Sequence, residues 1–177
     1  MLNALEGIAT EYSRSSLILL EYHTEGAKST PATRSMFTSY HLIGTPWVVV
    51  NGLNPIGGFQ SDTVSSEIDK NMGATSIAML QASLTNASTM TVSVEITNLT
   101  MQDIQNARLY AVVYEDTGKS RDRYLVRDVT PATIFTLSGR DTVTYELSPS
   151  LTNSSNLHIV VILKTNDDGI IQSQFVK

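Results

Sequence analysis

The chain has 177 residues, a formal net charge of -5 at pH 7 and no cysteine. Hydrophobic residues make up 41%, enough for a core, while charged residues at 16% fall below the roughly 25% of an average globular chain, so Ser, Thr and Asn must supply much of the surface. The acidic balance argues against nucleic acid as a partner, because phosphate binding needs clustered Lys and Arg, and the lack of cysteine removes disulfides, zinc–thiolate sites and thiol catalysis from this polypeptide.

Along the first 73 residues helix-like and strand-like segments alternate. Leu2, Leu5, Ile8, Ala9 and Tyr12 follow the i, i+3, i+4 spacing of an amphipathic helix, and residues 17–22 form a short apolar strand behind a Ser-rich turn. Thr30 is placed to cap a second helix that Pro31 opens and that runs to about Ser39. Residues 47–50 read as a strand closed by Asn51-Gly52, a hairpin-turn dipeptide, with residues 56–59 as a short partner strand. A last helix starts at Ser61 or Asp62, carries Val64, Ile68 and Met72, and meets Gly73, placed to end it.

From about Thr75 the pattern changes to period-two strands separated by turn signals. Candidates span 77–84, 90–97, 107–114, 124–129, 134–137 joined to 142–147 through Ser138-Gly139-Arg140, 157–163 and 170–176. This count fits a sandwich of about seven strands over roughly 100 residues. Asp116-Thr117-Gly118 and the Asn166 to Gly169 run are hairpin turns. The fold class is therefore α+β: an α/β half over 1–73 and an all-β half over 76–177, joined by a linker so short that the halves should pack together.

Few motifs carry chemistry. His23, His41 and His158 show no metal-ligand spacing and read as surface or strand-end imidazoles. Glu115-Asp116 and Asp167-Asp168 could together offer oxygens to calcium, but acidic hairpin tips are ordinarily solvated turns, and Arg121-Asp122-Arg123 with Arg127-Asp128 read as surface ion pairs. Asn86, Asn98 and Asn153 each head an N-glycosylation sequon, which a chain rich in Asn, Ser and Thr produces by chance. No nucleophile elbow, Walker loop or dinucleotide fingerprint is present, so no metal and no cofactor are expected. The longest apolar runs, 16–20 and 159–163, fall far short of the roughly 20 residues of a membrane span. Met1-Leu2-Asn3-Ala4 has no basic signal-peptide region, which leaves a cytosolic protein or an internal piece of an exported one.

One stretch is more distinctive. Gly44-Thr45-Pro46-Trp47-Val48-Val49-Val50-Asn51-Gly52, preceded by Tyr40-His41-Leu42-Ile43 and by the helix Leu5 to Tyr12, resembles the part of a thioredoxin-fold domain that follows its Cys-x-x-C motif. With Val126-Arg127-Asp128-Val129 and the closing hairpin of the second half, the chain is similar to exported bacterial proteins related to Omp28, in which a thioredoxin-like half precedes an immunoglobulin-like one. The resemblance implies a cis Thr45–Pro46 bond and a peptide-binding loop at Gly44, Thr45, Pro46 and Trp47, where backbone groups accept a peptide by strand addition. It also implies an extracytoplasmic location. An incomplete thioredoxin-like sheet would leave strand edges unpaired, so residues 17–22 should either lie directly beside 47–50 or recruit a strand from a second copy, giving a homodimer. The functional expectation is a non-catalytic binding module. The alternatives are the C-terminal portion of a thiol-disulfide oxidoreductase with Cys-x-x-C upstream of Met1, and a structural spacer in a surface protein.

Overall fold

The computed structural model describes residues 7–8, 10–13, 16–53, 55–58, 60–119, 123–151, 156–165 and 169–176. Gly7, Ile8, Thr10 and Glu11 are helical, whereas Leu2, Leu5 and Ala9 of the expected first helix lie outside the described residues. Helix α1 spans Pro31–Ser39 and begins in a capping box: the Thr30 hydroxyl accepts from the Thr33 amide and the Thr33 hydroxyl from the Thr30 amide. Strands β1 (Trp47–Val49) and β2 (Pro55–Gly57) form an antiparallel hairpin. Asn51 and Gly52 both have positive φ, 51° and 68°, as a type I′ turn requires, and Leu53 donates to the Val50 carbonyl. Helix α2 spans Ser61–Met72 and stops at Gly73, whose φ of -84° is ordinary, so this glycine does not supply the left-handed cap that its position suggested.

Eight strands follow: β3 (Ala78–Asn86), β4 (Thr91–Asn98), β5 (Ile104–Asp116), β6 (Tyr124–Val129), β7 (Thr133–Leu137), β8 (Thr142–Leu147), β9 (Leu157–Lys164) and β10 (Ile170–Phe175). One sheet runs β10-β9-β5-β6, with β7 also paired to β5, and the other runs β3-β4-β8. Val92, Val94 and Ile96 of β4 face inward while Ser93 and Glu95 alternate outward. Across from them Leu109, Ala111 and Val113 of β5 and Val161 and Leu163 of β9 complete the largest core cluster, which the two sheets enclose. β5 and β9 are buried on both faces, which is why their sequences read as near-continuous apolar runs.

Two expectations fail here. Residues 134–137 and 142–147 are not a hairpin. β7 pairs with β5 in one sheet and β8 with β4 in the other, which makes eight strands rather than about seven. The connection between them crosses between sheets because Asn98, fully buried, donates to the carbonyls of Leu137 and Ser138, and because Gly139 lies against the Met101 carbonyl, 2.3 Å from where a Cβ would stand. Residues 17–22 are not a strand beside β1. Their one bridge is parallel, Glu21 to Leu125 of β6, with the Glu21 amide donating to Tyr124 at 2.8 Å and the Val126 amide to Glu21 at 3.0 Å. Ile18, Leu19, Leu20 and Tyr22 instead cover Tyr110, Val112 and Tyr114 on the outer face of the larger sheet, and burying four apolar side chains there outweighs a ladder with a three-residue strand.

The first and second halves are in contact at several points. α1 packs on β6, and the β1–β2 turn is fastened to β10 by the Ile170 amide donating to the Asn51 carbonyl and the Asn51 amide group to the Ile170 carbonyl. Asn51 also donates to Asn71 at the end of α2. Among the described residues, no helix is long and apolar enough to cross a membrane.

Candidate functional site

The loop leading into β1 is built from the side of the sheet upward. Val48, Val50 and Ile56 point to one face of the hairpin, where they pack with Leu17 and Tyr12 around Ile8, Val64 and Ile68. Strand alternation therefore turns Trp47, Val49, Pro55 and Gly57 to the opposite face. Gly44, Thr45, Pro46 and Trp47 are all exposed, and Ile43 beside them is 89% exposed. The Thr45–Pro46 bond is cis and Gly44 sits at φ 75°, a conformation glycine adopts without penalty.

Trp47 is held from two directions. Its indole N–H donates to the Ile43 carbonyl at 3.2 Å, closing the loop on itself. Its six-membered ring lies over Gly57, the cross-strand partner, so closely that a Cβ at Gly57 would stand 3.1 Å from two ring carbons.

The ladder of this hairpin decides which backbone groups are offered outward. The Gly58 amide donates to the Pro46 carbonyl at 3.0 Å, and in an antiparallel pair the bonded positions alternate, so Val48 bonds toward β2 while the N–H and C=O of Trp47 and Val49 point to the other edge. Among the described residues no strand occupies that edge, since β1 pairs with β2 alone.

The remaining sequence candidates lie apart from this loop. His23 is tied by its carbonyl, which accepts from Thr33 at 2.6 Å, and its ring lies 3.9 Å from a Glu21 oxygen; His158 stacks on Tyr114 with centroids 5.3 Å apart; His41 is exposed at φ 53°. Among the described residues no three His, Asp or Glu side chains gather where a metal could be held. Glu115 accepts two bonds from Arg127, and Asp116 lies 3.7 Å from Arg123; Asp167 and Asp168 fall outside the described residues, as do Arg121 and Asp122. Arg127 thus pairs across the β5–β6 ladder rather than with its neighbour Asp128, whose carboxylate accepts from the Val129 and Ser150 amides. Of the sequons, Asn98 is fully buried and spends its amide on five hydrogen bonds, leaving no room for a glycan; Asn86 closes a turn by accepting from Ser88 and Thr89; Asn153 lies outside the described residues.

Sequence reasoning missed one surface. Held by Asn98 and Gly139, the loop after β4 presents Leu99 and Met101, 41% and 79% exposed, beside a hollow of about 520 Å³ bordered by Ile77, Thr100, Asp103 and Thr165. Asn98 looked only like a chance sequon, because nothing local distinguishes a buried hub from an exposed asparagine.

No protein-family profile and no curated protein sequence matches the chain. Among solved structures, a protein from Agrobacterium tumefaciens superposes with a TM-score of 0.64 at 14% identity, covering 98% of this chain and 84% of that one. The two share a fold along nearly their whole length. A domain of the outer membrane lipoprotein Omp28 from Porphyromonas gingivalis overlaps 56% of this chain and 84% of its own, at 15% identity and a TM-score of 0.35. A β-glucosidase from Listeria innocua overlaps 58% of this chain and 16% of its own, at 17% identity and a TM-score of 0.33. Neither of these partial overlaps assigns anything to this chain.

Proposed function

We propose that this chain is a non-catalytic, extracytoplasmic binding module that takes an extended peptide along the outer edge of β1, next to Gly44, Thr45, Pro46 and Trp47. In this reading the first half is thioredoxin-like and the second immunoglobulin-like, and the site is the surviving peptide-binding loop of the first. One observation carries the proposal. Among the described residues β1 has a ladder partner on one edge only, and the loop that leads into it is exposed from Ile43 to Trp47. An unpaired edge of this kind supplies affinity through main-chain hydrogen bonds and specificity through alternate side chains.

The test uses a capped heptapeptide, Thr-Val-Thr-Leu-Thr-Val-Thr, read by the fluorescence of Trp47, the only tryptophan in the chain. Saturable binding is expected. It should be lost when the peptide amides are N-methylated, because neither edge of the peptide then offers a donor to β1. In the protein, Val49→Pro removes a single outward N–H without touching the bonds to β2, so it should weaken binding at least tenfold while the chain still melts cooperatively. No saturable change with the heptapeptide, or equal binding by its N-methylated form, overturns the reading.

A further inference from the structure

The same loop also bears on which peptides it can take, an inference that rests on the edge-binding reading. From Leu42 to Ser61 there is no Asp, Glu, Lys or Arg, a run of 20 residues in a chain where 29 of 177 carry charge. The hairpin, its turn and the loop leading into it are built from this run alone. A charged side chain brought against this surface would lose water and find no partner of opposite charge within the hairpin, its turn or the loop, which costs free energy for either sign.

The indole adds a positive requirement. It is fixed by the Ile43 carbonyl on one side and by Gly57 beneath, so it needs little further ordering when a ligand arrives. One ring face is spent on Gly57, the residue remains 37% exposed, and Ile43 stands beside it almost fully in solvent. A strand added to the outer edge of β1 places every second side chain on the face that carries Trp47 and Val49, with directly opposed Cβ atoms roughly 4.5–5.5 Å apart.

We infer that the site selects an uncharged extended segment whose alternate residues are apolar, one of them seated against Trp47 and Ile43. Recognition is by main chain and apolar contact, with acidic and basic peptides rejected alike. Gly57 is a positioning residue in this scheme, because any larger side chain there lifts the ring.

The heptapeptide separates this inference from the reading beneath it. Its even positions share one face, so replacing the central Leu varies a side chain that lies over Trp47 and Val49 in any register slipped by two. Phe and Leu at that position should bind best, Ser several-fold more weakly, and Asp and Lys at least tenfold more weakly than Leu, by similar factors at low and at high salt. Gly57→Ala should weaken the Leu and Phe peptides several-fold and leave the Ser peptide unchanged, a split that general loss of structure would not produce. If Asp or Lys binds within threefold of Leu, or if one sign binds better than Leu, the selectivity inference is overturned while edge binding stands. If no version binds, edge binding itself is overturned, and the inference goes with it.

Discussion

The two halves of the molecule are stabilised very differently. Among the described residues the two-sheet half encloses a cluster of sixteen buried apolar side chains, while the half containing β1, β2 and α2 centres on three, Ile8, Val64 and Ile68, with half-buried neighbours. Burial is the larger difference between them. The region with the small core is also the one that exposes its loop and leaves an edge unpaired. Binding loops are commonly drawn from the less stable part of a fold, where a rigid neighbour holds them in place. β10 fastens the far end of this hairpin, its turn, through the reciprocal bonds of Asn51 and Ile170.

Substitutions should expose that contrast. Leu109→Ala removes a fully buried side chain from the large cluster and should cost about 2–5 kcal/mol, seen as an earlier denaturant midpoint for the whole chain. Asn98→Ala removes the amide N–H bonds to the carbonyls of Gln102, Leu137 and Ser138, of which Gln102 keeps the Thr100 hydroxyl and Ser138 the Asp141 amide as donors, and should cost about 1–3 kcal/mol. A loss below about 1 kcal/mol would mean that water replaces the side chain and that Asn98 is not what holds the crossing between the sheets. Val64→Ala, with two methyl groups lost from the small cluster, should cost about 1–2 kcal/mol. Its effect should appear first as faster hydrogen exchange in α2 and β1, with the strands of the large core unchanged. Equal acceleration in β5 and β9 would break the comparison and make the halves a single cooperative unit.

The smallest effect concerns pH. Burial pushes the Tyr22 phenol above its ordinary value, and Tyr40 nearby adds to the shift. The unfolded chain then loses this proton first, near pH 10, so the stability present below that pH is lost as pH rises beyond it. Thermal melts should fall above about pH 10, and Tyr22→Phe should fall less over the same interval. Parallel curves for the two proteins would show that Tyr22 does not remain buried under those conditions.

Where local chemistry dominates, the sequence was legible. Thr30-Pro31 opens α1, Asn51-Gly52 makes the hairpin turn, and residues 124–129 form β6 as the pattern indicated, because capping, positive φ and alternation are properties of a few adjacent residues. Gly44, Thr45, Pro46 and Trp47 were singled out by the resemblance of their stretch to a thioredoxin-fold domain rather than by any local pattern, and they sit in an exposed loop. What went unseen depended on distant partners. Residues 17–22 carry the pattern of a strand, yet the outer face of β5 and β9 gave their side chains a better place to bury.

Ser138-Gly139-Arg140 carries the pattern of a hairpin turn, yet Asn98 and the Met101 carbonyl hold it as a crossing between sheets. By itself, then, the amino-acid sequence determined which segments are helical or extended, where they turn, and that no thiol chemistry can occur within this polypeptide, since these follow from residue type and spacing. Only the tertiary structure decided which sheet each strand joins, which asparagine becomes a buried hub, and which edge of β1 pairs with β2. Those outcomes rest on competition between alternative burials, and the winner is set by surfaces that lie far apart along the chain.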